Sequence, residues 1–210
     1  MLIIDYKKTY HKKIIHACVL ALKSGKVIAY PTDTSYGLAV DATNVAAIKK
    51  LYKVKGRNFN KPVHIIPPTI AAAKKIVQWD KAAEKLAKKF FPGALTLVLG
   101  LRVKGLGFSL LSAKSGWLGI RMPKNDIALD LAKEFKKPIT TTSANVSGQA
   151  DCYSAADVLK QFSKQKFKPD IIINAGKLVK RKPSTVVKIH NNQIQILRVG
   201  PISETQIQNV

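Results

Sequence analysis

Helix-periodic stretches alternate with short apolar runs along the whole chain, and this alternation limits the possible folds more than any other feature. Apolar residues recurring every three or four positions mark the buried face of a helix. Short apolar runs bounded by turn residues mark buried strands. Helices are read over residues 9–22, 44–52, 126–135 and 155–162, with two more opening at Thr69 and Asp80, the second ending near Pro92-Gly93. Thr9, Asn44, Thr69, Asp80 and Asp126 can cap these helices, because their side-chain oxygens accept the free N–H groups of a first turn. Strands are read over residues 27–30, 63–66, 118–121, 139–142 and 171–173. Residues 95–101 form the longest apolar run and read as a buried central strand. Residues 185–190 and 193–197 flank Asn191-Asn192, a pair suited to a tight hairpin turn. Residues 102–116 hold three glycines and read as a mobile excursion with room for one short strand. The pattern is that of a single α/β domain spanning residues 1–210, a twisted, mixed, open sheet with flanking helices.

Composition narrows the class. A chain of 210 residues with 46% hydrophobic content can bury one real core. No apolar run reaches the roughly 18 residues of a membrane span. Residues 2–4 are followed at once by Asp5 and lysines, unlike a secretory signal. Cys18 and Cys152 lie far apart in apolar or unremarkable surroundings, so free thiols and a cytoplasmic location are expected. The formal charge of +24 suits a polyanionic partner: a nucleotide, RNA or both. A lysine-rich solubilising surface gives the same total, so charge alone names no function.

Polar clusters follow three predicted elements. Residues 31–37 (PTDTSYG) carry closely spaced hydroxyls and one carboxylate after a strand, fit for a small zwitterion or phosphate oxygens and equally for an ordinary turn. Lys53, Lys55, Arg57 and Lys61 could converge on one anion if their loop curls, or form a solvated basic loop. Residues 140–148 (TTTSANVSG) place Ser143 and Asn145 two residues apart at a strand end, where both can face a ligand or satisfy local backbone. Arg121 and Arg198 each end a strand. The four histidines, His11, His16, His64 and His190, show no metal-ligand spacing. There is no GxxxxGK[ST] loop, no GxGxxG after a strand and no GxSxG elbow.

In this order, the clusters resemble the TsaC/YrdC family over almost the whole chain. Residues 27–38 (VIAYPTDTSYGL) resemble its opening strand and threonine-binding loop. Residues 51–62 (LYKVKGRNFNKP) resemble its K-x-R signature at Lys55 and Arg57, and residues 142–148 (TSANVSG) its S-x-N signature at Ser143 and Asn145. Residues 91–99 (FPGALTLVL), 119–123 (GIRMP), 183–187 (PSTVV) and 196–200 (ILRVG) resemble further family segments. The resemblance implies an L-threonylcarbamoyladenylate synthase, a nucleotidyltransferase that uses L-threonine, bicarbonate and ATP in tRNA modification. A TsaD-type transferase would act downstream, and direct tRNA or RNA binding stays open.

The resemblance also implies roles. Lys55, Arg57, Ser143 and Asn145 would be catalytic. Thr32, Thr34, Arg121, Ser143 and Ser184 would hold threonine, and Arg57, Lys61, Asn145 and Arg198 the nucleotide. Magnesium would ride on the ATP phosphates, with no dedicated protein metal site. Some positions depart from the family pattern. Asn58 replaces the proline after K-x-R, Ala94 the second proline of Pro-Gly-Pro, and Ile66 a threonine-contacting histidine. His64 would share a strand face with Ile66 and could rebuild that contact. The chain resembles the short, single-domain form of the family.

Overall fold

A computed structural model describes residues 1–6 and 10–210. The elements, in chain order, are β1 (Leu2–Asp5), α1 (His11–Lys23), β2 (Ile28–Tyr30), β3 (Gly37–Ala39), α2 (Val45–Lys55) and β4 (His64–Ile66). Next come α3 (Ile70–Ile76), α4 (Lys81–Phe90), β5 (Leu95–Gly100), α5 (Leu106–Leu111), β6 (Trp117–Arg121) and α6 (Asp126–Phe135). The last are β7 (Ile139–Ser143), α7 (Ala155–Phe162), β8 (Ile171–Asn174), β9 (Thr185–His190), β10 (Gln193–Arg198) and α8 (Glu204–Gln208).

The helix starts follow the capping chemistry. Asn44, Thr69 and Asp80 each accept from a backbone N–H three residues on. The expected cap at Thr9 lies outside the described residues. At α6 the cap is Asn125, not Asp126: Asn125 is extended and accepts from the Ala128 N–H. Asp126 is the first helical residue, where its negative charge suits the positive end of the helix dipole.

The ten strands form one sheet in the order β1-β8-β2-β3-β7-β4-β6-β5-β9-β10. Parallel pairs (β1/β8, β2/β8, β4/β6, β5/β9) mix with antiparallel ones. Both faces are covered. On one, α1 and α6 pack Ile14, Leu22, Leu131 and Phe135 over Ile28, Tyr30 and Ile139. On the other, α2, α4 and α7 bury Ile48, Leu51, Leu86 and Phe162 over Leu38, Ile65 and Leu97. Each fully buried leucine or isoleucine contributes ~1.5–3 kcal/mol relative to exposure. β5 is buried as expected, but it sits between β6 and β9 towards one end of the order rather than at its centre.

Four segments differ from the reading of the sequence. Residues 102–116 contain a helix, α5, and no strand. Their Gly107 is a close-approach residue: a Cβ there would lie 3.0 Å from the Ala42 carbonyl oxygen and 3.2 Å from Ile48 Cδ1, so its absence lets α5 settle closely on α2. β1 turns residues 2–5 into an edge strand through parallel pairing with β8. β3 extends the polar 31–37 loop into a strand. The α8 start carries a capping box, with Ser203 and Gln206 bonding reciprocally. The Asn191-Asn192 turn has both residues at positive φ, 50° and 63°, matching the twist that joins β9 to β10.

Candidate active site

A cavity of about 360 Å³ opens where β2, β6 and β7 end, flanked by the β9/β10 hairpin. Ligand sites in open α/β sheets fall at such strand ends. Thr32, Thr34, Arg57, Arg121, Ser143, Ser184 and Arg198, all expected from sequence, line this one cavity. Lys55 and Asn145 stand behind its wall, and Lys61 is exposed outside it.

The floor is set by the loop after β2. Thr32 Oγ1 donates to the Ser35 carbonyl at 2.7 Å and accepts from the Thr34 N–H at 3.1 Å, so the hydroxyl shapes its own turn. The loop offers Asp33 and Thr34 to the end of β6. There Arg121 Nη2 donates to the Asp33 carboxylate and to Thr34 Oγ1 at 2.9 Å. Asp33 also accepts from the Lys124 backbone N–H at 3.1 Å. The loop after β2 and Arg121 are therefore one hydrogen-bonded unit.

Two further arginines come from other directions. Arg198 donates from Nε and Nη2 to the Ser184 carbonyl at 3.1 and 2.9 Å, and Ser184 Oγ bonds Thr96 Oγ1 at 2.9 Å. Arg57 donates from Nη2 to the Pro62 carbonyl at 3.1 Å. Each guanidinium is held by backbone oxygens or a carboxylate, which orients a planar, permanently charged fork for carboxylate or phosphate oxygens. Burial, and then the charges of Arg198, Arg121 and Arg57, push the His64 pKa down to about 4. The ring is neutral at pH 7.

The four cations of the second cluster do not converge. Lys53 Nζ lies 5.6 Å from the centre of the Phe167 ring. Lys55 is 1% exposed and turns inward, donating to the carbonyls of Ser143 (2.5 Å) and Asn145 (3.0 Å) and to Asn145 Oδ1 (3.0 Å). The Gly56 turn, with φ 55°, ends α2 and separates the inward Lys55 from the cavity-lining Arg57. The left-handed turn at Gly56 decides the matter, and the loop composition could not reveal it.

Sequence reasoning did not single out three residues. Asp33 locks Arg121, and its neighbours Thr32 and Thr34 were the available signal. Asp151 brings a carboxylate to the cavity wall. Gly119 makes room for His64: a Cβ there would lie 2.4 Å from His64 Cδ2. Among the described residues, no group of three His, Cys, Asp or Glu side chains could hold a metal ion. No helix among them is long and apolar enough to cross a membrane.

Fold and cavity together define an α/β protein that gathers hydroxyls and three arginines around one small cavity. A family model described as telomere recombination, Sua5/YciO/YrdC, matches residues 20–200, and the chain belongs to this family. It is 34% identical over 95% of its length to a Methanocaldococcus jannaschii protein, provisionally named a threonylcarbamoyl-AMP synthase, and spans 92% of that relative. It is 32% identical over 98% of its length to the Bacillus subtilis threonylcarbamoyl-AMP synthase, of which it spans 58%. Among solved structures, Pyrococcus abyssi Sua5 in complex with L-threonine superposes with a TM-score of 0.90 at 30% identity, covering all of this chain and 60% of that one.

Proposed function

We propose that the protein is a threonylcarbamoyl-AMP synthase, which joins L-threonine, bicarbonate and ATP into threonylcarbamoyl-AMP. The observation that carries this reading is the convergence of Arg57, Arg121 and Arg198 from three separate elements on a cavity floored by the Thr32–Thr34 loop. In this reaction the threonine amine attacks bicarbonate, water leaves and a carbamate forms. A carbamate oxygen then attacks the α-phosphorus of ATP, and the bond to pyrophosphate breaks. No covalent enzyme intermediate is needed. The chain's work is to position three small substrates and to stabilise charge growing on the phosphates.

Arg121, held by Asp33 and Thr34, takes the threonine carboxylate, and Ser143 and Ser184 complete the threonine site. Arg57 and Arg198 meet the phosphates. Lys61 lies on the solvent side of the same loop, where it can meet the distal phosphates. Magnesium would arrive on the nucleotide's phosphates: of the two carboxylates at the cavity, Asp33 is already engaged with Arg121 and the Lys124 N–H, and Asp151 is not part of any group of three possible ligands among the described residues. The activated threonylcarbamoyl group passes to a TsaD-type transferase for tRNA modification. The +24 charge gives RNA a long-range reason to approach. The setting is the cytoplasm.

The test is pyrophosphate release from ATP by the purified protein, with L-threonine and bicarbonate each present or omitted. Release that requires both, and that falls at least ~100-fold in Arg57→Ala, supports the synthase. Absence of release under every combination, with tight RNA binding instead, overturns it in favour of a binding module.

A further inference from the structure

Lys55 directs its ammonium group at the end of β7 and the turn that follows. An ammonium carries three N–H donors and no acceptor. All three are matched by the Ser143 carbonyl, the Asn145 carbonyl and Asn145 Oδ1, at 2.5, 3.0 and 3.0 Å. The Lys55 carbonyl in turn accepts from the Ser147 N–H at 2.8 Å. The residue thus ties the end of α2 to the β7 turn through both its side chain and its backbone. It does not line the cavity, whereas Ser143 does.

The polarity of the turn follows from this tie. An ammonium can meet only the oxygen end of the Asn145 amide, and the Gln149 carbonyl, 2.5 Å from Nδ2, can meet only the NH₂ end. The amide therefore cannot flip without losing both partners. Ser143 Oγ lies 2.6 Å from that same Oδ1 and must be the donor in the contact. Its only proton is then engaged inside the turn, and what it shows the cavity is lone pairs. A hydroxyl held in this sense accepts hydrogen bonds. It suits an N–H group and not the oxygens of a carboxylate or phosphate.

We infer that Lys55 is a positioning residue that, through Asn145, fixes Ser143 as the hydrogen-bond acceptor for the amine of the amino-acid substrate. This rests on the synthase reading for the identity of the substrate, and it changes the role of Lys55 from the catalytic, anion-facing one that the resemblance implies to that of a clamp. Burial, and then the Arg57 charge, draw the Lys55 pKa down to about 7, against which the three oxygen acceptors favour the charged form.

The test measures binding without turnover, by calorimetry with L-threonine and with 3-hydroxybutanoate, which keeps the carboxylate and hydroxyl but lacks the amine. Ser143→Ala is expected to weaken L-threonine at least ~10-fold and 3-hydroxybutanoate less than ~2-fold, since only the amine contact is lost. Lys55→Met should show the same selectivity, and adding it to Ser143→Ala should cost little more, because the two act through one contact. Exchange of the Ser147 amide should quicken in Lys55→Met. If that variant fails to fold, Asn145→Leu cuts the relay one bond later and should give the same selective loss. Additive effects of Lys55→Met and Ser143→Ala overturn the inference. So does weakened pyrophosphate binding with threonine affinity intact, or equal losses for both ligands. A wild-type protein that shows the expected binding pattern yet releases no pyrophosphate would sink the synthase reading and leave the clamp standing.

Discussion

Asp33 and Arg121 meet as a buried ion pair at the floor of the cavity, their side chains only 6% and 11% exposed. The contact joins the loop after β2 to the end of β6 across the strands that separate them. A buried pair is weak evidence for stability, but removing one partner leaves an uncompensated charge and costs ~3–5 kcal/mol. It also frees the guanidinium proposed to meet the threonine carboxylate.

Asp33→Asn is therefore expected to lower stability by about 3 kcal/mol in urea unfolding and to raise the threonine KM at least ~10-fold, with the ATP KM changed far less. The Lys124 N–H can still donate to an asparagine oxygen, so the loop should keep its course. An equal rise in both KM values would mean that Arg121 is not threonine's partner.

His64 gives a pH signature. In the unfolded chain its imidazole takes a proton near pH 6.5. In the folded protein burial and the three arginines hold that step down to about 4. Between those values the unfolded state carries more protons, so stability rises with pH and is lost on acidification from 6.5 towards 4. The single-site shift corresponds to ~3 kcal/mol at the acid end. Urea unfolding at pH 7, 5.5 and 4.5 should show this slope, and His64→Gln should flatten it. An unchanged slope in that variant would assign the acid sensitivity elsewhere.

Much of this was legible in the sequence because it rests on local rules. Asn44, Thr69 and Asp80 cap helices, and Asn191-Asn192 turns a hairpin, wherever such residues stand between periodic segments. The cavity's arginines and hydroxyls were legible through the resemblance, since each motif sits at a strand or helix end. The rest depended on tertiary partners. The glycines of residues 102–116 suggested a loose loop, yet Gly107 is there to let α5 touch α2, a contact that local composition does not encode. Lys55 and Arg57 look alike in a basic loop, and only the left-handed turn at Gly56 sends one inward and the other to the cavity. The sequence leaves Asp33 open between a ligand-holding loop and an ordinary turn, and its pairing with Arg121 from the far side of the sheet is a tertiary contact that neither reading contains.

Gly119 sits in β6 opposite β4, and a Cβ there would approach His64 Cδ2 to 2.4 Å. The ring would have to move, and it already lines the cavity. Gly119→Ala is expected to cost ~1–3 kcal/mol, the usual range for overpacking a well-filled site. Displacing the ring into the cavity should lower pyrophosphate release about 10-fold. The double variant Gly119→Ala/His64→Ala should recover stability. Failure to recover would place the clash in the backbone rather than on the ring.

Arg198 reaches the cavity because β10 breaks register with β9 between Ile196 and Arg198. Such an irregularity re-aims a side chain, and here it turns the guanidinium onto the Ser184 carbonyl, which accepts from Nε and Nη2 at once. A lysine has the charge but no planar fork to make both contacts. Arg198→Ala is expected to reduce pyrophosphate release ~100-fold, the scale of one preorganised charge-stabilising group, with the threonine KM little changed. Arg198→Lys should recover only a small part of that loss, because an ammonium at the end of a flexible stem is not held by Ser184. Full activity in the lysine variant would show that charge alone suffices at this position and that the twin bonds to Ser184 serve the hairpin rather than the reaction.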